Sequence, residues 1–361
     1  LRIFKRNKHS LYPAILKWLS KFDQIKDVVV HSEFCASGGP HLRILVLPFL
    51  FLIRLRGKTI TYYAHNVVDN FSKIADHLNL KRGSLKFKLF NLSLKLYYRS
   101  LNLLVNRFVV LEEIIFDRLS NFIKPQKIIV LPHWIRIRKL NISKTYAKIK
   151  LEIPKKSKVI TSFGFISYYK GSNWVTDIAS AVPDFHFMLA GGEAYSLKDQ
   201  KYYQKYYQNI LTKSKKLKNL TLTGFIQEKK IPLIFAASDI CIFPYRDLIG
   251  GSGALSLSLS YGKLVIMSKP MFRQMKNSLV VRHALLMSKL TESEVSFDLN
   301  ITSFKNILKK LDNKNYLKKL QIFSTLLTEG WSYQTMLLKH YEDVFGQETY
   351  VSRNFHEAKT F

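Results

Sequence analysis

The chain has 361 residues, 47% hydrophobic and 13% aromatic, which is enough apolar material for two ordinary domain cores and makes a globular protein the default. Its 57 Lys and Arg exceed its 25 Asp and Glu by 32, which indicates an anionic partner (a membrane surface, a nucleic acid or phosphorylated substrates) unless an AT-rich genome alone explains the lysines. The two cysteines, Cys35 and Cys241, lie far apart, which excludes a disulfide framework and favours a reducing cytosolic setting.

The first 150 residues are the more basic part of the chain. They hold 28 basic and 8 acidic side chains, against 29 and 17 in the remainder. They open at Leu1 on a basic segment without a signal-peptide pattern, and we expect the natural beginning to lie upstream. The longest apolar run, Ile44 to Ile53, has ten residues where about twenty are needed to cross a bilayer, so we predict no membrane span there.

A second segment of this part, Leu80 to Leu101, mixes basic with bulky apolar residues. The residues concerned are Lys81, Arg82, Lys86, Lys88, Lys95 and Arg99, and Phe87, Leu89, Phe90, Leu94 and Tyr97. This mixture fits a helix that lies in an anionic membrane interface, and it fits equally well a helix that packs on its own domain. No zinc-finger spacing or aromatic RNA-binding motif accompanies the charge, so we do not predict nucleic-acid binding.

Strands and helical stretches alternate along the chain. Buried strands are predicted at Lys26 to Phe34, Lys58 to Val67, Asn106 to Glu113 and Lys127 to Ile135. A lysine-rich connector, Arg138 to Lys158, is the natural domain boundary. The second half ends near Leu327, and a last amphipathic helix is predicted from Glu329 to Phe345, followed by a loosely ordered tail.

The segment from Val159 to Met267 reads as successive buried strands, each ending in a turn or a helix start. Repeated strand-to-helix crossings build a parallel sheet, whose ligands collect at the carboxyl ends of the strands. One such end offers Lys170, and another offers a glycine-serine turn that opens an apolar helix. These groups suit an anionic, phosphate-bearing ligand.

Seven motifs occur in one order along the chain: YYAHN, IIVLPHWI, FGFISYYKGS, LAGGE, LTGFI, IPLIFAASDICIFPYR and SGALSLSLSYGKLVI. This set resembles the family-4 retaining glycosyltransferases of the GT-B fold, and within them the mannosyltransferase-like branch, from Val28 to about Phe345. The resemblance implies an α/β fold of two Rossmann-like domains whose parallel sheets face a cleft. The first domain would be residues 1–148, lacking its first strand, and the second would be residues 149–328. A helix at 329–346, which contains Trp331, would cross back to the first domain, and residues 347–361 would form a tail.

The resemblance also implies roles for residues of the second half. Lys170 would bind the donor diphosphate and neutralise the charge on the departing nucleotide, although in isolation it could be a solvated surface lysine. The phosphate would also contact small residues and N–H groups at the start of a helix, namely Gly164, Ser252, Gly253 and Ala254. Ser252 could cap that helix as well. The alternative interpretation is an ordinary capped loop without a phosphate. The turn that resembles the holder of the nucleotide base is Gly224, Phe225 and Ile226.

Two departures from the family pattern stand out. The family's arginine five residues before Lys170 is Phe165 here, and we hypothesise that Arg246 replaces it; an Arg246→Ala variant with full donor affinity would contradict this. The two positions of the family's Glu-x7-Glu motif are Ile249 and Leu257, neither of which is acidic. Altered contacts to the donor and a catalytically inactive descendant are both open interpretations.

In the first half, the resemblance places His65 beside the donor sugar, supported by Asn66, although buried histidines are often structural. Glu33, Gly38 and Gly39 resemble an acceptor-side loop, in which Glu33 either binds acceptor or acts as a base, or is simply a structural carboxylate. His133 stands at the family's interdomain hinge, where a structural role is expected.

The implied activity is a retaining, metal-independent hexosyltransferase of the EC 2.4 class. The donor would be a GDP- or UDP-linked sugar, with mannose suggested by the branch, and the acceptor a lipid-linked or growing polysaccharide at the cytoplasmic face of a membrane, with the protein bound peripherally. No cofactor is expected, because the sequence has no Asp-x-Asp and no metal-ligand spacing. Two alternatives are a non-catalytic nucleotide-sugar-binding or scaffold protein of the same fold, and a nucleic-acid-binding α/β protein whose binding would survive Lys170→Ala.

Overall fold

The computed structural model of the protein describes residues 11–32, 45–74, 81–132, 134–195, 197–247 and 250–340. The chain divides into two compact units, one of residues 1–132, 249–251 and 339–361 and the other of residues 133–248 and 252–338. Each unit is built on its own parallel sheet.

The first unit holds a parallel sheet whose described strands follow the order β1-β2-β3-β4. The strands are β1 (Asp27–Ser32), β2 (Thr59–Ala64), β3 (Arg107–Val110) and β4 (Ile128–Val130). The described α-helices are α1 (Leu11–Leu19), α2 (Val46–Leu55), α3 (Leu85–Leu104) and α4 (Glu113–Ser120). Each strand lies inside one of the four predicted segments, which confirms their positions. Strand β1 was predicted to be buried, but it stands at the end of the described strand order and its residues alternate between exposed and half-buried.

The core of the first unit lies between this sheet and its helices. The strands contribute Ile60 and Phe108, which are fully buried. Helix α2 buries Val46, Phe49, Leu50 and Ile53, and helix α3 buries Leu94, Tyr98 and Leu101, in the same cluster. Helices α2 and α3 also contact each other. The two helices therefore lie side by side on one face of the sheet.

The second unit holds a six-stranded parallel sheet of order β10-β9-β8-β5-β6-β7. Its strands are β5 (Lys158–Phe163), β6 (Phe185–Ala190), β7 (Leu220–Leu222), β8 (Ile240–Phe243), β9 (Leu264–Ser268) and β10 (Ser296–Phe297). Its helices begin with α5 (Lys144–Lys150), α6 (Ser172–Ala181), α7 (Lys201–Lys216), α8 (Ile231–Ala237) and α9 (Gly253–Ser260). They continue with α10 (Lys269–Met275), α11 (Leu279–Ser288), α12 (Glu292–Val295), α13 (Ile301–Lys310), α14 (Lys314–Gly330) and α15 (Tyr333–His340).

Local sequence explains many of the helix starts. Ser84 accepts a hydrogen bond from Phe87 N–H at 3.2 Å, and Asn313 accepts from Tyr316 N–H at 3.1 Å. Such caps satisfy backbone donors that have no partner within the helix. The capping residues Ser84 and Asn313 thus fix where helices α3 and α14 begin.

Two segments differ from their predicted form. The lysine-rich connector contains helix α5, which packs against α8, so residues 133–148 lie in the second unit rather than before the predicted boundary. The last helix begins at Tyr333 and not at Glu329, because α14 continues through Gly330. Ser332 Oγ then accepts from Thr335 N–H at 3.3 Å and marks the new start.

The apolar run of the first unit forms helix α2, which is short. Among the described residues, no helix is both long and apolar enough to cross a membrane.

Candidate functional site

The strand order of the second sheet reverses between β5 and β8, which are hydrogen-bonded neighbours. From β5 the chain proceeds to β6 and β7 on one side, and from β8 to β9 and β10 on the other. The connections after β5 and β8 therefore leave in opposite directions and open a crevice, which is where open α/β sheets bind ligands. The residues predicted to hold a diphosphate follow these two strands: Gly164 and Lys170 after β5, and Arg246 and Ser252 after β8.

Glycines allow the ends of these strands to approach closely. A Cβ at Gly191 would lie 1.9 Å from the carbonyl oxygen of Gly164. A Cβ at Gly171 would lie 2.1 Å from the carbonyl oxygen of Pro244, and Gly171 has a φ of +71°. A side chain fits at neither position, because both opposing atoms belong to the backbone. The glycines of the LAGGE and YYKGS motifs therefore shape the crevice.

Lys170 is held at the crevice by aromatic rings. Its Nζ lies 4.1 Å from the centroid of the Phe165 ring and 5.5 Å from that of Tyr245. An ammonium over an aromatic face is attracted by the negative face of the ring. Among the described residues, no carboxylate forms an ion pair with Lys170. The rings thus position a charge that is available to an anionic ligand.

The start of helix α9 lies beside this ammonium. A Cβ at Gly164 would be 2.7 Å from Lys170 Nζ and 3.7 Å from Ala254 Cβ, so the ammonium and the first turn of α9 border the same small space. Ser252 Oγ accepts from Leu255 N–H at 3.3 Å, which confirms the predicted cap, and it lies 3.2 Å from Tyr245 Oη. The positive end of the helix dipole and the ammonium together favour an anion here.

Arg246 takes a different direction from Lys170. Its guanidinium carbon lies 4.3 Å from the centroid of the Tyr168 ring, and its backbone N–H donates to Tyr169 O at 2.7 Å. One terminal nitrogen, Nη1, is buried and has no hydrogen-bond partner. The predicted replacement of the family's arginine by Arg246 therefore stays a prediction. At the arginine's own position, Phe165 contributes a ring to the Lys170 ammonium.

The second position of the family's Glu-x7-Glu motif is Leu257, whose side chain makes apolar contacts. Leu257 is partly buried and packs against the core of the second unit. Ile249, the first position, lies outside the described residues. At Leu257 the side chain supports the fold and offers no acceptor for a ribose hydroxyl.

The turn predicted to hold a nucleotide base carries an exposed aromatic ring. Gly224 has a φ of +68°, and the next residue, Phe225, is 86% exposed. A Cβ at Gly192 would lie 2.7 Å from Phe225 N, so the turn sits directly against the end of β6. Ile226 packs on a small apolar cluster and anchors the turn. The turn is therefore anchored, and it presents the Phe225 ring as an open apolar face.

In the first unit, His65 directly follows β2, as predicted, and it pairs with a second histidine. His65 Nε2 and His31 Nδ1 are 3.0 Å apart, and the His31 ring stacks on Tyr63 at 4.4 Å between centroids. One ring nitrogen donates and the other accepts, so at least one of the two rings is neutral. Asn66 forms an isolated antiparallel bridge with Gly250, a residue grouped with the same unit. His31 was not predicted from sequence, because its place opposite Tyr63 in the β1–β2 register is visible only in the sheet.

Several predicted residues lie outside the described part of the chain. They are Glu33, Gly38, Gly39 and His133. Among the residues that are described, no group of three or more His, Cys, Asp and Glu is placed to hold a metal ion.

A buried carboxyl group was also missed from sequence. Glu112 directly precedes helix α4, is only 6% exposed, and its Oε2 has no hydrogen-bond partner. Burial, and then the charge of the neighbouring Glu113, raises the pKa of Glu112 to about 8. A carboxyl group in such surroundings holds its proton at neutral pH. Glu112 follows β3, which is the neighbour of β2, so it lies at the same edge of the first sheet as His65.

We predict that Glu112 makes the stability of the protein decrease as pH rises. The ordinary carboxyl pKa of 4.5 applies to the unfolded chain, which releases the proton first, while the folded protein holds it up to about pH 8. The contribution of Glu112 to the free energy of unfolding should therefore be largest below pH 4.5 and fall by up to about 1.4 kcal/mol per pH unit until pH 8. In Glu112→Gln this contribution disappears.

The measurement is urea unfolding at several pH values between 5 and 8, followed by circular dichroism. The difference in unfolding free energy between wild type and Glu112→Gln should change steadily over this range. Asp117→Asn is the matched control, because Asp117 is exposed on the same helix. Parallel pH curves for wild type and Glu112→Gln would show that Glu112 titrates alike in both states.

Comparison with known proteins finds similarity at the level of structure. No protein-family model and no curated protein sequence matches the chain. The solved structure of HepE from Anabaena in complex with UDP-glucose superimposes with a TM-score of 0.68 at 14% identity, covering 96% of this chain and 86% of that one. Sucrose-phosphate synthase from Thermosynechococcus elongatus gives 0.67 at 13% identity over 93% and 77%.

A glycosyltransferase from Rickettsia africae gives a TM-score of 0.66 at 13% identity, covering 96% of this chain and 85% of that one. Sequence identities this low show a shared fold and nothing finer. With its two parallel sheets and helices on each, the chain has the α/β architecture of GT-B glycosyltransferases.

Proposed function

We propose that the protein is a glycosyltransferase that moves a hexose from a nucleotide-sugar donor to an acceptor hydroxyl. The observation that carries this proposal is the placement of the Lys170 ammonium beside the first turn of α9, at the point where the strand order reverses. A leaving nucleotide diphosphate gains negative charge as the sugar bond breaks, and fixed positive groups stabilise that charge most in the transition state. The fold shared with HepE, whose structure contains UDP-glucose, supports the same conclusion.

Within this proposal, the chain's own groups supply the chemistry. Lys170 and the backbone amides of Gly253 and Ala254 bind the diphosphate, without a metal ion, and the exposed Phe225 ring takes the base face. We propose a retaining transfer, in which the acceptor hydroxyl attacks from the face that the diphosphate leaves and a leaving-phosphate oxygen takes its proton. His65 would orient a hydroxyl of the transferred sugar.

The donor and acceptor form the finer part of the proposal. The mannosyltransferase-like motifs favour GDP-mannose, whereas the HepE complex contains UDP-glucose, so these are the two donors to compare first. We propose a lipid-linked or growing polysaccharide as the acceptor, and the basic first 150 residues support binding at a cytoplasmic membrane face.

A non-catalytic nucleotide-sugar-binding protein is the second candidate. The packing of Leu257 into the core favours it, because that side chain cannot replace a carboxylate at the donor ribose. The two candidates differ in turnover: an enzyme transfers the sugar or slowly hydrolyses the donor, whereas a binding protein does neither.

The test is a panel of GDP-, UDP- and ADP-sugars on the full chain, read first by thermal shift and then by release of free nucleotide. We expect one donor to raise the melting temperature and to be slowly hydrolysed. A thermal shift without any nucleotide release, with or without glycan acceptors, would favour the binding protein. If no nucleotide sugar changes the melting temperature, the proposal is wrong.

A further inference from the structure

The outward side of helix α3 carries leucines at helical spacing. Five of these leucines are more than half exposed, and we call them the leucine face: Leu85 (74%), Leu89 (55%), Leu92 (53%), Leu96 (54%) and Leu103 (81%). Their spacings of four, three, four and seven residues place them along one side of the helix. Leu94, Tyr98 and Leu101, on the opposite side, are buried in the core. Helix α3 thus has a second apolar side, which the described residues of the unit leave exposed.

Basic residues border the leucine face. At 100° per residue, Lys88, Lys95 and Arg99 project along one flank of the leucines, and Lys86 along the other. The whole segment 81–104 contains no Asp or Glu. The exposed surface of the helix is therefore apolar along its middle and positively charged along its margins.

The neighbouring helix α2 continues this surface. Phe51, Leu52 and Leu55 are 49, 42 and 66% exposed on its outer side, and Arg54 and Arg56 lie among them. Helices α2 and α3 contact each other and bury their opposite sides in the same core cluster. Their outer sides therefore point away from the sheet in the same direction and form one apolar, basic surface.

We infer that the outer sides of α2 and α3 form a docking surface for an anionic lipid bilayer. Apolar side chains on an interfacial helix enter the boundary between headgroups and acyl chains, and the flanking Lys and Arg meet anionic headgroups. A second copy of the chain would bring the same positive charge against this surface, whereas a bilayer offers both acyl chains and negative charge. The inference rests on the proposed membrane binding and names the surface that performs it. Because this surface lies wholly in the first unit, its test is separate from the donor panel, which tests the second unit.

The test is co-sedimentation of the full chain with vesicles of pure phosphatidylcholine and with vesicles that also contain phosphatidylglycerol. We expect wild type to bind the anionic vesicles and to leave the neutral ones largely unbound, with binding that weakens as salt is added. The combined variant Leu89→Ser, Leu92→Ser and Leu96→Ser should bind at least about tenfold more weakly. The combined variant Lys88→Gln, Lys95→Gln and Arg99→Gln should bind about a hundredfold more weakly.

The matched control replaces two leucines that are as exposed but lie on α11 in the second unit, Leu279 and Leu286 at 71 and 75%. Leu279→Ser with Leu286→Ser should bind vesicles as wild type does. Circular dichroism of each variant establishes that it is folded, which is expected because the replaced side chains are on the surface.

The inference would be overturned if wild type does not bind anionic vesicles, or if the leucine-face variant binds them as tightly as wild type. A wild-type dimer in solution that the leucine-face variant alone abolishes would overturn it as well, since that would identify a second copy as the occupant.

Discussion

Lys170→Ala should reduce kcat/KM for donor turnover by about 10²–10³, with most of the loss in kcat. The ammonium lies 2.7 Å from where a Gly164 Cβ would be, and aromatic rings hold it there without a competing carboxylate among the described residues. Its charge matters most when the diphosphate departs, so the transition state loses more than the bound donor does. Steady-state kinetics with the donor selected by the panel provides the measurement.

The control for this prediction is Lys150→Ala. Lys150 also lies over an aromatic ring, with its Nζ 5.6 Å from the Tyr146 centroid, but it belongs to helix α5 and not to the crevice. The Lys150→Ala variant should have the same kcat/KM as wild type. Lys170→Arg keeps the charge in a different shape and should fall between wild type and Lys170→Ala. Equal kinetics in wild type and Lys170→Ala would remove the ammonium from the mechanism.

Gly191→Ala should destabilise the second unit by about 2–4 kcal/mol and weaken donor binding at the same time. The added Cβ would lie 1.9 Å from Gly164 O and 2.5 Å from Gly164 C. Both atoms belong to the backbone, so the ends of β5 and β6 must separate. Because Gly164 borders the space beside the Lys170 ammonium, the same displacement disturbs the predicted diphosphate site. Urea unfolding and the donor thermal shift measure the two effects.

Gly253→Ala is the steric control for stability. A Cβ at Gly253 meets no atom within 4 Å, and the residue is the first of helix α9. Alanine in a helix should leave stability unchanged or raise it by up to about 1 kcal/mol. A Gly191→Ala variant as stable as Gly253→Ala would mean that the strand ends are not as tightly packed as the structure has them.

The fold was accessible from sequence because its strands are short, mainly apolar runs that are separated by helical stretches. Lys26 to Phe34 and Lys58 to Val67 contain β1 and β2 for this reason. The Ser252 cap was also predictable, because serine is one of the preferred N-cap residues and Ser252 directly precedes an apolar helical run. These features depend on neighbours in sequence, which a reader of the chain can see.

Other features depend on neighbours in space. Glu112 looks like an ordinary polar residue at a helix start, and the main cause of its raised pKa is its burial in the folded protein. In the sequence, Phe165 stands where the family has an arginine and suggests the loss of a positive charge. In the structure, its ring contacts the Lys170 ammonium. Helix α3 carries leucines on two opposite sides, so the exposed leucines could be separated from Leu94 and its buried neighbours only once the sheet was in place.

The most direct test is the position of the diphosphate in a crystal structure of the full chain with UDP or GDP, as the donor panel selects. We predict a phosphate oxygen about 3 Å from Lys170 Nζ. The same diphosphate should accept hydrogen bonds from the amides of Gly253 and Ala254 at the start of α9. A nucleotide bound away from the ends of β5 and β8, with no phosphate near Lys170, would contradict the account.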